Sequence, residues 1–226
     1  MLTIDLTLNL TLVVIAKNQP DLDAFNQQNL DGVAWVSLVT NDAQWSLARL
    51  ANYYLDRCGT SVFGLCHADM EFGPGSLKVF VDCCLAGKVC GACARVEGLY
   101  PFPFDYMWSH NWGNPTPEQI QAGHPLEVSG PLVLSSSDRV STLDSSCIFF
   151  PTDRGLRFDE ATFDGYHQHG EDLCMQAHSK GIPVVLPSAN AFHACKDTNG
   201  PNWGAERDKY KHMLLAKWPQ YRIVTT

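Results

Sequence analysis

No stretch of this 226-residue chain approaches the roughly 18–20 consecutive apolar residues that span a bilayer, so a transmembrane helix is not expected. Basic residues are scarce: Lys and Arg total 16 against 24 Asp and Glu, for a net charge of -8. That balance argues against general nucleic-acid binding, which needs a basic footprint. A local basic pocket for a phosphorylated small molecule is still compatible with it. The N-terminus, Met1-Leu2-Thr3-Ile4-Asp5, carries an acid where a secretory leader carries basic residues, so a cytoplasmic location is expected. Charged residues make up only 18% against 45% hydrophobic, which excludes a disordered tail or a coiled coil. Low-complexity segments and internal repeats are lacking too. Cysteine, by contrast, is plentiful. There are nine, an odd number, and without a leader they read as reduced thiols.

The apolar residues that are present fall into short periodic segments. Residues 4–12 alternate, with Ile4, Leu6, Leu8, Leu10 and Leu12 on one side, and lead into the continuous run Leu12-Val13-Val14-Ile15-Ala16. A continuous run is expected of a strand covered on both faces, as in parallel sheets. A short helix should open at Pro20-Asp21 and run to about Leu30, and a strand should cover residues 34–39. Residues 45–55 place apolar side chains three and four apart, a helical spacing. A strand over 61–66, a helix over 74–85 and a strand over 88–96 follow. This alternation predicts an α/β fold with a mainly parallel sheet, in which ligands bind beyond the carboxyl ends of the strands. Residues 100–126, rich in proline and aromatics, break the rhythm and read as a long loop. Beyond it the pattern predicts strands over 126–134, 142–150 and 182–186, and helices over 171–179 and 208–217.

Three segments carry candidate chemistry. At the end of the third predicted strand, Cys66-His67-Ala68-Asp69-Met70-Glu71 places His67, Asp69 and Glu71 two apart, on one face if the chain is extended. Such donors suit a divalent cation, Mg²⁺ or Mn²⁺, with positions left for phosphate oxygens. The second segment runs from Arg157-Phe158-Asp159-Glu160 to Gly170-Glu171-Asp172-Leu173. Its acids crowd a helix start, where the helix dipole explains some of them and a carboxylate base would be another use. The third is the late His193, in Phe192-His193. Cys83, Cys84, Cys90 and Cys93 supply four thiols close together, but Cys90 and Cys93 lie three apart in a strand-like run and face opposite sides. Buried small hydrophobes are therefore expected there rather than a zinc site.

In this order, the segments resemble the GT-A nucleotide-sugar glycosyltransferases, specifically the family-2-like group. The likeness is best from Leu156-Arg157-Phe158-Asp159-Glu160 through His193, and it also takes in Ser46–Asn52 and Lys217-Trp218. It implies a single GT-A-like domain: a Rossmann-like, mixed but mainly parallel sheet flanked by helices. Residues 1–99 would form the nucleotide-binding half and residues 100–226 the acceptor-binding half, with the loop 100–126. The resemblance puts Asp69 at the metal-binding aspartate and His193 at a late histidine that completes the site. The usual Asp-x-Asp is replaced by either His67-Ala68-Asp69 or Asp69-Met70-Glu71, so the second ligand is His67 or Glu71. Asp172 would be the catalytic base. Ala16, Asn18, Asn41 and Asp42 would border the nucleotide, with Arg49 and Asn52 on the neighbouring helix, and Asp144 would lie near the sugar or acceptor.

The implied activity is Mn²⁺- or Mg²⁺-dependent transfer of a sugar from a nucleotide-sugar donor to a hydroxyl acceptor such as a glycan, with inversion. Two alternatives stand beside it. A sugar-phosphate nucleotidyltransferase would want a glycine-rich phosphate loop after the first strand, whereas Ala16-Lys17-Asn18-Gln19-Pro20 has no glycine. A catalytically silent carbohydrate-binding protein is the other, kept open by the altered Asp-x-Asp.

Overall fold

The computed structural model describes residues 8–16, 18–26, 30, 33–40, 45–96, 106–109, 132–134, 139–187, 189, 191–193 and 202–224. The first apolar run forms β1 (Leu8–Ala16), followed by α1 (Gln19–Asn26), β2 (Val33–Thr40), α2 (Leu47–Leu55) and β3 (Val62–His67). A three-residue strand, β4 (Met70–Phe72), precedes α3 (Ser76–Leu85), β5 (Val89–Gly91) and β6 (Cys93–Val96). Next come β7 (Tyr106–Ser109), β8 (Leu132–Leu134), β9 (Arg139–Leu143) and β10 (Cys147–Pro151). The chain ends with α4 (His169–Ser179), β11 (Val184–Leu186), β12 (Ala191–His193), α5 (Trp203–Lys217) and β13 (Arg222–Val224).

Seven strands make the central sheet in the order β2-β1-β3-β10-β5-β11-β8. β2, β1 and β3 run parallel, β5 runs parallel to β11, and β10 and β8 are antiparallel to their neighbours. The expected mixed, mainly parallel sheet flanked by helices is what forms. Its continuous apolar runs have the expected cause, since both faces are covered. Val13, Ile15, Phe63, Leu65, Ile148 and Phe150 pack with α2 and α4 on one side. Leu12, Val14, Val62, Cys66, Cys147 and Phe149 pack with α1 and α3 on the other. Period-two alternation within each strand thus serves two cores at once, each large side chain contributing roughly 1.5–3 kcal/mol of burial.

Close packing explains one glycine in the middle of this sheet. A Cβ on Gly64 would lie 2.5 Å from the Phe149 ring. That ring is itself stacked on Phe80 at 4.6 Å with an interplanar angle of 6°. A bare backbone at Gly64 is what lets this aromatic pair sit against the strand.

Several expectations need correction. The strand expected over 88–96 is two strands in different sheets, because the chain steps at Ala92 from β5 in the central sheet to β6 in a four-stranded sheet, β13-β9-β6-β7. The strand expected over 142–150 is likewise split, between β9 and β10. There the Asp144 carboxylate accepts from Ser146 N at 2.7 Å and turns the chain. Tyr106–Ser109, within the expected aromatic loop, pairs antiparallel with β6. No described helix is long and apolar enough to cross a membrane.

Candidate metal centre

The carboxyl ends of β1, β2 and β3 lie level, with Ala16 opposite Thr40 and Ile15 opposite His67. His67 closes β3 and is fixed from both sides. Its N–H donates to Ser146 O at 2.8 Å, and the next N–H, of Ala68, donates to Ile15 O at 3.0 Å. A turn at Ala68 and Asp69 then leads into β4, which pairs antiparallel with β12 so that His193 stands opposite Met70. This two-stranded ribbon carries His193 across to the end of β3.

One nitrogen each from His67 and His193 and one oxygen from Asp69 lie within 4.8 Å of one another, the one such group of three potential ligands among the described residues. His193 Nε2 is 3.2 Å from Asp69 Oδ1, and the two side chains are 13% and 20% exposed. The His67 and His193 rings are 5.8 Å apart and turned edge to face. Burial works to raise the Asp69 pKa, but the hydrogen bond from His193 and the charge of both imidazoles outweigh it and hold the carboxyl well below the usual range. Two imidazoles and a carboxylate, partly open to solvent, are a donor set that fits a divalent ion.

Of the two choices for the second aspartate-side ligand, the structure brings His67 into the group and not Glu71. The alternation from 67 to 71 assumed an extended chain, and the turn at Ala68-Asp69 breaks it. In β4, Met70 and Phe72 are buried and Glu71 lies on the other face.

The remaining expected residues divide into three sets. Asn41 and Asp42 lie outside the described residues. Asp144 is beside the centre. Its N–H donates to Cys93 O at 2.9 Å, and its charge is felt at the Cys93 thiol, which also hydrogen-bonds the His193 ring. Ala16 is buried at the end of β1. Asn18 is exposed, and its Oδ1 accepts from Asp21 N at 3.0 Å, capping the first turn of α1. Arg49 is exposed on α2, with its guanidinium 4.5 Å over the Trp45 ring.

Asn52 and Asp172 are bonded within the chain. Asn52 is 4% exposed, and its amide clasps a segment 106 residues away. Nδ2 donates to Phe158 O at 2.8 Å and Glu160 Oε1 at 3.1 Å, and Oδ1 accepts from Phe158 N at 3.1 Å. Its polar atoms hold α2 to the chain. Asp172, expected as the base, is 1% exposed. Its oxygens accept from Trp218 Nε1 at 2.8 Å and Gln176 Nε2 at 2.9 Å and pair with Lys217 Nζ at 2.7 Å. A base must offer a free lone pair to a hydroxyl within hydrogen-bond reach. Asp172 spends its lone pairs tying α4 to the end of α5.

The Arg-Phe-Asp-Glu segment is scaffold of the same kind. Arg157 forks onto Asp56 at 2.5 and 3.1 Å, and Asp159 pairs with Lys217 at 2.8 Å. Although burial opposes it, the Lys217 ammonium and the Thr162 bonds hold Asp159 at about 2.

Sequence reasoning missed Cys93. It is fully buried, and burial pushes its thiol up, against the pull of His193. The only sequence signal was its place after the Gly91-Ala92 step. His169 was missed as well. It is 1% exposed at the start of α4, where Nε2–H donates to Gly165 O at 2.9 Å and Nδ1 has no hydrogen-bond partner. Burial pushes its pKa down to about 4.

No protein-family model matches the chain, and comparison with curated proteins finds no match. Among solved structures, one similar chain is a UDP-glucose pyrophosphorylase complexed with UDP-glucose. It shares 9% identity at a TM-score of 0.39, over 93% of this chain and 81% of that one.

Proposed function

We propose that the protein is a metal-dependent glycosyltransferase that moves a sugar from a nucleotide-sugar donor to a hydroxyl acceptor. The observation that carries the reading is the convergence of His67, Asp69 and His193 within 4.8 Å beyond the carboxyl ends of parallel strands. Strand ends of this kind are where α/β sheets bind ligands. Both expected halves contribute, His67 and Asp69 from residues 1–99 and His193 from residues 100–226. The cation, Mn²⁺ or Mg²⁺, would supply positive charge against the diphosphate.

In transfer, an acceptor hydroxyl oxygen bonds to the anomeric carbon as the bond from that carbon to the diphosphate breaks. The nucleoside diphosphate leaves with the electron pair, and the hydroxyl proton passes to a base. The chain's part is to hold the donor's diphosphate against the centre, with Ala16 at the base of the nucleotide site and Asp144 toward the sugar. Asn41 and Asp42 would meet the base and Arg49 the donor's outer edge. No proton transfer is assigned to Asp172.

A thermal-shift screen of nucleotide sugars, with Mn²⁺ and with chelator, tests the reading on wild type and Asp69→Ala. A donor at a hundred times its Kd adds about 2.7 kcal/mol. For a chain of this size that raises Tm by roughly 5–10 °C. Asp69→Ala should lose the metal-dependent shift. Release of nucleoside diphosphate with an acceptor marks transfer. Release of pyrophosphate from a nucleoside triphosphate and a sugar phosphate marks nucleotidyl transfer instead. Binding of glycan without turnover of any donor marks the silent alternative. If no donor stabilises the wild type in a metal-dependent way, the proposal fails.

A further inference from the structure

The donors themselves say which ions the centre takes. Sites for Mg²⁺ are built from oxygen, near-octahedral and rich in water. Imidazole moves affinity toward first-row transition ions, which rises from Mn²⁺ through Fe²⁺ and Co²⁺ toward Cu²⁺ and falls at Zn²⁺. Here two of the three donors are imidazoles, each ending a different strand, with one carboxylate between them. Two histidines and one carboxylate around an ion with open positions are a donor set of non-haem iron and of zinc centres. Glu71, whose oxygen would have made the group harder, lies on the other face of β4. The buried neighbour of the His193 ring is a thiol, Cys93.

We propose that His67, Asp69 and His193 form a transition-metal site that discriminates against Mg²⁺, and that the His67 imidazole sets the preference. The inference rests on the reading of this group as a metal centre and goes beyond it in naming the class of ion. Partners of a ligating histidine orient the ring and tune its basicity, and Cys93 is placed to do this for His193. The His67 backbone is pinned by Ser146, and its side chain is partly exposed. A change at this position therefore alters the donor without emptying the core.

The test uses the full chain stripped of metal and Co²⁺ as the probe, read by its visible ligand-field absorption. Zn²⁺, which has no such absorption, and Mg²⁺ serve as competitors. In wild type, Zn²⁺ should abolish the Co²⁺ band near stoichiometry, while a roughly thousandfold excess of Mg²⁺ leaves it in place. His67→Asp, which creates an oxygen-rich pair with Asp69, should weaken Co²⁺ by about tenfold or more and let Mg²⁺ displace it. Urea unfolding confirms that this variant is folded. If Mg²⁺ displaces Co²⁺ from wild type at comparable concentrations, or if His67→Asp leaves the order of ions unchanged, the discrimination is refuted while the metal centre stands. If wild type gives no Co²⁺ band, and neither Zn²⁺ nor Mg²⁺ registers by calorimetry, the centre itself is refuted and this inference with it.

Discussion

Acid should weaken this fold through one buried histidine. His169 begins α4 with its Nε2–H committed to Gly165 O and Nδ1 buried, so the folded state holds the neutral ring, with a pKa of about 4. The positive end of the helix dipole also disfavours a charged imidazole there. The unfolded chain protonates the same ring near 6.5. Its folded pKa is therefore depressed, so its contribution is complete above the unfolded value and is lost as pH falls from about 6.5 toward 4. At 1.36 kcal/mol for each pKa unit, the full loss is about 3 kcal/mol, of which about 2 kcal/mol falls between pH 7 and pH 5. His167, half-buried and also pushed down by burial, adds in the same direction. Asp159 stays out of this window, because its depressed pKa costs stability only below about 3.8.

Urea unfolding at pH 7, 6 and 5 measures the effect. With a slope of about 2–3 kcal/mol/M, the wild-type midpoint should drop by somewhat under 1 M from pH 7 to pH 5 on account of His169. His169→Gln keeps a donor for Gly165 O and cannot titrate, so its stability should depend less on pH by that amount. Every other group is common to the two proteins and cancels in the comparison. Identical pH slopes for wild type and His169→Gln would refute the argument.

Two further perturbations test the packing. Asp172→Ala strands the Trp218 N–H, leaves Lys217 with Asp159 alone and should cost about 2–4 kcal/mol in urea unfolding. Asp172→Asn should cost less and keep any transfer activity per folded molecule, so a folded, donor-binding Asp172→Asn without transfer would restore this carboxylate as a base. Gly64→Ala drives a Cβ into the Phe149 ring and should cost about 1–3 kcal/mol by thermal unfolding, and an unchanged Tm would contradict that contact.

The central architecture was legible because its signals are local. The apolar runs of β1 and β3 and the helical spacing of α2 each report on one element, and covered faces make such runs continuous. Asp69 and His193 were foreseeable as a pair through the family resemblance, which puts both at one metal site. Partners distant in sequence were not legible. Nothing near Asn52 announces Phe158, and nothing near Asp172 announces Lys217 and Trp218. Both bond to the chain itself, at partners that no local pattern names. The short strands β7, β12 and β13 are too brief to show a period, so Tyr106–Ser109 read as loop. Glu71 was grouped with Asp69 because the period-two rule holds only while the chain stays extended, and it turns at Ala68.

The β4–β12 ribbon has a consequence for how the protein is made. Its two strands come from distant parts of the sequence, with His193 at the end of β12 and His67 and Asp69 just ahead of β4. A growing chain would therefore hold two of the three donors long before the third, His193, is made. Full coordination would thus wait for β12, and an ion at this centre would act as a seal on that late pairing rather than as a seed for it.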